Sequence, residues 1–194
     1  MLSTIFTSLV LLVSNPSADD TKAVYKVSTV ESKVVWTGEK LAGTHTGTIN
    51  LSQGDLQFDG DKLTGGSFTI DMNSIVDTDL EGEYKGKLEG HLKSDDFFGV
   101  ATYPTATFKI TSVKSTGKNK YDVSGDITIK GTTEKITFPA ELVVNGSKVT
   151  ATSKITVDRS KFNVKYGSKS FFAEIGDKVI YDEFVLDVTL VAAK

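Results

Sequence analysis

From Val24 onward, apolar side chains return at every second position in one segment after another, the mark of strands with one buried face. The clearest run is Tyr121, Val123, Gly125, Ile127 and Ile129, followed by Ile136, Phe138, Ala140, Leu142 and Val144. Val149, Ala151, Ser153, Ile155 and Val157 form the next, and Phe184, Leu186, Val188 and Leu190 the last. Earlier strands are expected over 24–30, 33–40, 44–51, 54–58, 63–72 and 106–114. Turn formers separate them at Asp59-Gly60-Asp61, Gly117-Lys118-Asn119 and Asn145-Gly146-Ser147. About eight to ten strands joined by short turns make an antiparallel meander, and closure into a barrel or sandwich removes its exposed edges.

The rhythm changes at 77–98. Leu80, Tyr84, Leu88 and Leu92 recur every four residues, which predicts one helix over about 79–93 with these side chains on its docking stripe. Asp77 or Asp79 is the expected cap, with Glu81 and Glu83 early and Lys85, Lys87 and Lys93 late, as the helix dipole favours. Gly82, Gly86 and Gly90 each oppose the helix by roughly 1 kcal/mol, so it must be held by docking.

Composition narrows the function. The chain of 194 residues suits one domain with a real core, and 39% hydrophobic with 24% charged residues is ordinary for a globular protein. A net charge of −3 without a basic run argues against nucleic acid or an anionic membrane as partner. No cysteine is present, which removes disulfides, thiol nucleophiles and thiolate metal sites. With His45 and His91 as the only histidines, a centre needing three is excluded as well.

Residues 1–18 have no charged side chain, an apolar run from Ile5 to Val13, and small residues before Asp19-Asp20. That pattern, although it lacks a positive n-region, predicts a secretory signal cleaved near Ala18. The domain is then 19–194, periplasmic or secreted, with no segment able to span a membrane as a helix.

Candidate chemistry centres on EGHLKSDDFFGVATYPTATFKI, residues 89–110. His91 and Asp95 stand four apart on the helix, as a carboxylate-oriented base would, but no serine sits in a nucleophile elbow. The plainer reading is a histidine packed at a helix end, with Ser94 or Asp95 capping the turn that follows. His45 reads as a strand residue with a local hydrogen bond. Asp158-Arg159 with Lys161 and Lys165 is either a solvated loop or a cationic tip for a polar head group. Aromatic residues occur in nearly every element and either fill the barrel or line a slot for one apolar ligand. Small residues at inward positions, Gly125, Ala140, Ala151 and Ser153, would leave such a slot open.

Several blocks resemble the YceI-like family: Val35-Trp36-Thr37-Gly38, His45-Thr46-Gly47-Thr48-Ile49, Gly65-Gly66-Ser67-Phe68-Thr69-Ile70-Asp71-Met72 and His91-Leu92-Lys93-Ser94-Asp95-Asp96-Phe97-Phe98. Tyr103-Pro104-Thr105-Ala106-Thr107-Phe108, Gly125 to Thr133 and Asp158-Arg159-Ser160-Lys161-Phe162 continue the likeness in order, from about Val24 to Val191. Gly99 stands where the family usually has Asp or Asn, and Asn163 where Gly is common.

The resemblance implies an all-β, extended lipocalin-like eight-stranded antiparallel barrel with one short helix. It also implies an exported, non-catalytic protein that holds a long amphiphile, a polyisoprenoid or isoprenoid quinone, for transport or storage. No cofactor or metal is implied; the hydrophobic small molecule is the partner, and a homodimer is compatible. Phe68, Ile70, Phe97, Phe98, Phe108, Ile110, Ile127, Ile129 and Phe138 are the expected lining, with Trp36 and Phe184 beside them. His91, Asp96 and Arg159 are the expected polar mouth. The competing readings are a fatty-acid-derivative binder, a solid structural or stress-response barrel, and a hydrolase dependent on His91.

Overall fold

The alternating runs become nine antiparallel strands in the computed structural model, which describes residues 22–174 and 176–194. The expected signal at 1–18 lies outside the described residues. The strands are β1 (Lys22–Val27), β2 (Lys33–Lys40), β3 (Gly43–Asp59), β4 (Lys62–Asp77), β5 (Thr105–Gly117), β6 (Lys120–Ile129), β7 (Thr132–Asn145), β8 (Lys148–Asp158) and β9 (Ile180–Ala193). The runs 44–51 and 54–58, read separately from the pattern, are one strand. Register shifts along β3 at Thr48/Asn50, Leu51/Gln53 and Gln57/Phe58 bend it and break its alternation.

Pairing runs β3–β2–β9–β8–β7–β6–β5–β4 and closes through β4 onto β3. β1 pairs with Asp55–Asp59 of β3 and β2 with Gly43–Ile49, so the two share one position in the ring. The result is a closed eight-stranded barrel without a free long edge. Among the described residues, no helix is long and apolar enough to cross a membrane.

Local chemistry sets the connections. Lys130 and Gly131 take φ of 49° and 76° between β6 and β7, the pairing of positive φ that a tight two-residue hairpin requires. The two departures from the family pattern are also explained here. Gly99 (φ 59°) and Asn163 (φ 58°) both lie in the left-handed region, where Gly, Asn and Asp are the residues that fit. Exchange among these three keeps the backbone.

One end of the barrel is packed solid. Tyr25 meets Phe58 edge-on at 5.1 Å, with Leu56, Leu63, Leu142 and Val149 buried around them. The opposite end is closed by helix α1 (Gly82–Lys93), whose position agrees with the four-residue pattern but whose details do not. Its N-cap is Glu81, which makes no side-chain capping bond. Asp77 instead accepts from the Leu80 backbone N–H at 2.7 Å, and Asp79 turns away to β3. Tyr84 is 73% exposed; the docking side is Leu88, Glu89, His91 and Leu92. The helix begins at Gly82, so Leu80 precedes it, and Tyr84 in its first turn faces solvent.

Candidate functional site

Beneath α1 the barrel holds a cavity of about 310 Å³. Its walls come from β2 (Val34, Trp36), β3 (Ile49), β4 (Ile70, Met72, Ile75), β5 (Ala106), β6 (Ile127, Ile129) and β9 (Ile180, Phe184, Leu186). Leu88, His91 and Leu92 of α1 and Phe97 and Phe98 of the turn beyond it supply the roof. The strand residues are inward positions, most of them in the half of the barrel that faces α1.

The roof is a continuous aromatic chain. Tyr166 meets His91 at 4.4 Å, His91 meets Phe97 at 5.6 Å, Phe97 meets Phe98 at 4.9 Å and Phe98 meets Phe184 at 6.3 Å, all edge-on. The turn carrying the two phenylalanines is held from both sides. Ser94 O accepts from the N–H groups of Phe97 and Gly99 at 3.0 and 2.8 Å. Lys130 Nζ donates to Asp95 O and Phe97 O, each at 2.7 Å. The polar half of this segment therefore builds the turn, and the aromatic half is what the turn presents.

Arg159 is buried at 2% exposure, an expensive place for a charge. Its donors are mostly engaged: Nε to Tyr181 O at 3.1 Å, Nη1 to Val164 O at 2.8 Å and Nη2 to Ile180 O at 2.9 Å. Asp182 Oδ1 lies 3.4 Å from Nη2. Burial opposes ionisation of Asp182, but bonds from Ser168 and Ser170 and the Arg159 charge outweigh it and hold the carboxyl below its ordinary value. Burial likewise lowers the Arg159 pKa, against the pull of Asp182 and Asp158. The cationic-tip reading is thus corrected: Arg159 ties the 3-10 helix Arg159–Phe162 to β9 and shows the cavity only part of its surface.

Two buried polar groups in the cavity wall have no hydrogen-bond partner among the described residues, Trp36 Nε1 and His91 Nε2. Toward the opening stand Glu39, Lys40, His45, Tyr166, Tyr181 and Glu183. The cavity is mainly apolar inside and polar at its rim.

Of the residues expected in the lining, Trp36, Ile70, Phe97, Phe98, Ile127, Ile129 and Phe184 border the cavity, as do His91 and Arg159. Phe68, Phe108, Ile110 and Phe138 do not. Phe68 stacks on Phe108 at 6.3 Å and Phe108 meets Phe138 at 5.4 Å, so these rings pack on one another farther down the barrel. The opening expected at Gly125 is filled by the same layer: a Cβ there would run into the Phe108 ring. Ile110 is taken up against Gly66. Asp96 is exposed and borders a separate surface groove with Lys130, Lys165 and Lys178, because the turn after Ser94 points it outward. His45 is no local strand contact either; its Nδ1 lies 2.9 Å from Asp79 Oδ2, 34 residues away.

Val34, Ile49, Met72, Ile75, Ala106, Ile180 and Leu186 were missed. Their inward parity was legible in the alternation, but no periodicity tells which inward layer faces a void.

A barrel of this topology, roofed by a helix and the Ser94–Phe98 turn, agrees with the comparison to known proteins: residues 25–192 match the YceI-like domain. The chain belongs to the YceI-like family. The UPF0312 protein VVA0736 of Vibrio vulnificus is 32% identical over 151 residues, 74% of this chain and 75% of that protein. The UPF0312 protein VPA0850 of Vibrio parahaemolyticus is 36% identical, but the match spans about half of each protein, 52% and 51%. Among solved structures, BcnA of Burkholderia cenocepacia superposes with a TM-score of 0.72 at 29% identity, over 86% of this chain and 99% of BcnA. A polyisoprenoid binding domain from Saccharophagus degradans shares the fold with a TM-score of 0.63 at 15% identity, over 87% and 97% of the two chains. The barrel fold is thus shared by this chain, BcnA and the Saccharophagus degradans domain.

Proposed function

We propose that this YceI-like chain is an exported, non-catalytic binding protein that holds a long amphiphilic lipid, of polyisoprenoid or isoprenoid-quinone type, for transport or storage. The observation that carries the reading is the apolar cavity under α1, whose wall is almost wholly aliphatic and aromatic and whose rim is polar. A tail gains roughly 0.8 kcal/mol for each methylene-sized group moved from water into such a site, so it needs shape and dryness rather than reactive groups. At about 310 Å³ the cavity is at the small end of the roughly 300–1,000 Å³ usual for ligand sites. Beyond it, Ile136, Ile155, Val188 and Leu190 of β7 to β9 are inward apolar residues that are only half-buried. A longer tail has apolar wall to follow there. Trp36 Nε1–H and His91 Nε2 are the polar groups left for a head group. The likeness to a barrel described as a polyisoprenoid binding domain supports the same ligand class.

The test is organic extraction of the protein purified from its native host, followed by mass spectrometry of the extract. A stoichiometric prenyl lipid or quinone is expected. An extract without lipid, together with failure to take up added polyprenyl compounds, refutes the reading.

A further inference from the structure

Beside the cavity mouth, three acidic or imidazole groups converge from different parts of the chain. His45 comes from β3, Asp77 from the last residue of β4, and Asp79 from the segment leading to α1. One ligand atom from each lies within 4.8 Å of the others. His45 Nδ1 and Asp79 Oδ2 are 2.9 Å apart, a hydrogen bond that would open to about 3.4 Å around a tetrahedral ion with bonds of about 2.0–2.2 Å.

The decisive group is Asp77. It is fully buried at 0% exposure. Its Oδ1 accepts from the Leu80 backbone N–H, while its Oδ2 meets no N–H or hydroxyl donor among the described residues, and the Asp79 carboxyl is its side-chain neighbour. A buried carboxylate oxygen without a donor costs several kcal/mol unless something positive meets it. The neighbours are another carboxylate and an imidazole, and nearby Glu89 adds further negative charge by accepting from the Asp77 backbone N–H. Lys85 stands 3.9 Å from Glu89 and belongs to that pair.

We infer that His45, Asp77 and Asp79 form a site for one divalent transition-metal ion, zinc being the natural occupant of a nitrogen-and-two-oxygen set with an open fourth position. The ion supplies the positive charge that Asp77 Oδ2 lacks. The outer partners that would hold the ligands are already in place. Thr46 N–H donates to Asp79 Oδ1 at 2.7 Å, and Leu80 N–H fixes Asp77. His45 also borders the cavity, so the ion stands at its mouth.

The protein, stripped with chelator and free of lipid, is titrated with zinc chloride by calorimetry and, in parallel, with cobalt(II) followed by visible absorption. One equivalent of zinc is expected, with a tetrahedral or five-coordinate cobalt spectrum. His45→Ala and Asp79→Asn, both at partly exposed positions, should each weaken binding by at least about 100-fold, since disturbing even an outer partner of a metal costs 10–100-fold. His91→Ala, at the only other histidine, should leave it unchanged. Absence of stoichiometric binding, or binding that survives both substitutions with circular dichroism unchanged, overturns the site and leaves an imidazole–carboxylate pair alone. Because no lipid enters the titration, its failure leaves the lipid-binding reading untouched.

Discussion

The guanidinium carbon of Arg159 stands 5.3 Å from the centroid of the Phe97 ring. This contact joins the two segments that roof and flank the cavity. Phe97 is locked by the turn after α1, and Arg159 by three backbone carbonyls around β9. A buried charge over an aromatic face is a rigid joint, because the ring quadrupole and the carbonyls together replace its lost water.

Arg159→Ala is therefore expected to destabilise the protein by about 3 kcal/mol or more, since the carbonyls of Tyr181, Val164 and Ile180 lose their donors in a buried setting. Arg159→Lys should recover little, because an ammonium cannot reproduce the planar fork. Urea denaturation of the three proteins measures both effects.

Asp182 gives stability a defined pH dependence. Its folded pKa lies below the ordinary 3.8, so its contribution is fully present above that value and is lost as pH falls through the lower folded one. The melting temperature should fall below about pH 4. Asp182→Asn should start lower and show a flatter acid limb in thermal scans from pH 2 to 7.

The cavity wall and the packed layer below it should respond in opposite ways. Ala106→Phe places a ring in the cavity and should reduce lipid carried by about tenfold or more, with a stability cost of roughly 1–3 kcal/mol. Phe108→Ala removes the centre of the Phe68–Phe108–Phe138 stack and should cost about 3–5 kcal/mol. Lipid extraction beside chemical denaturation separates the two outcomes.

Lys130→Met takes away both donors to the Asp95 and Phe97 carbonyls while keeping the stem. A loss of roughly 1–3 kcal/mol is expected, confined to the roof. Amide hydrogen exchange should rise for residues 94–100 and remain unchanged in β7 and β8.

Phe97 and Phe98 show how far the sequence reaches. Their place at the end of a docked helix was legible, because a four-residue recurrence stops where strand alternation resumes. Phe108 shows the limit. It shares the same inward parity as Ala106, yet Ala106 borders the void and Phe108 fills the barrel, since Phe68 on the neighbouring strand and Phe138 of β7 pack against it. Asp77 and Asp79 were read as helix caps because they precede an acidic first turn. Asp77 holds the Leu80 N–H just ahead of the helix, whereas Asp79 turns to Thr46 and His45 of β3, which pairs alongside β4.

By itself the sequence determined the alternation, hence the strands, their inward faces and a barrel with one helix, because these depend on local periodicity and turn chemistry. Only the tertiary structure decided which inward layer stays open, which buried polar atoms lack partners, and that His45 meets Asp77 and Asp79. Those facts arise from contacts across the ring between residues far apart in the chain, and no local pattern encodes the distance between them.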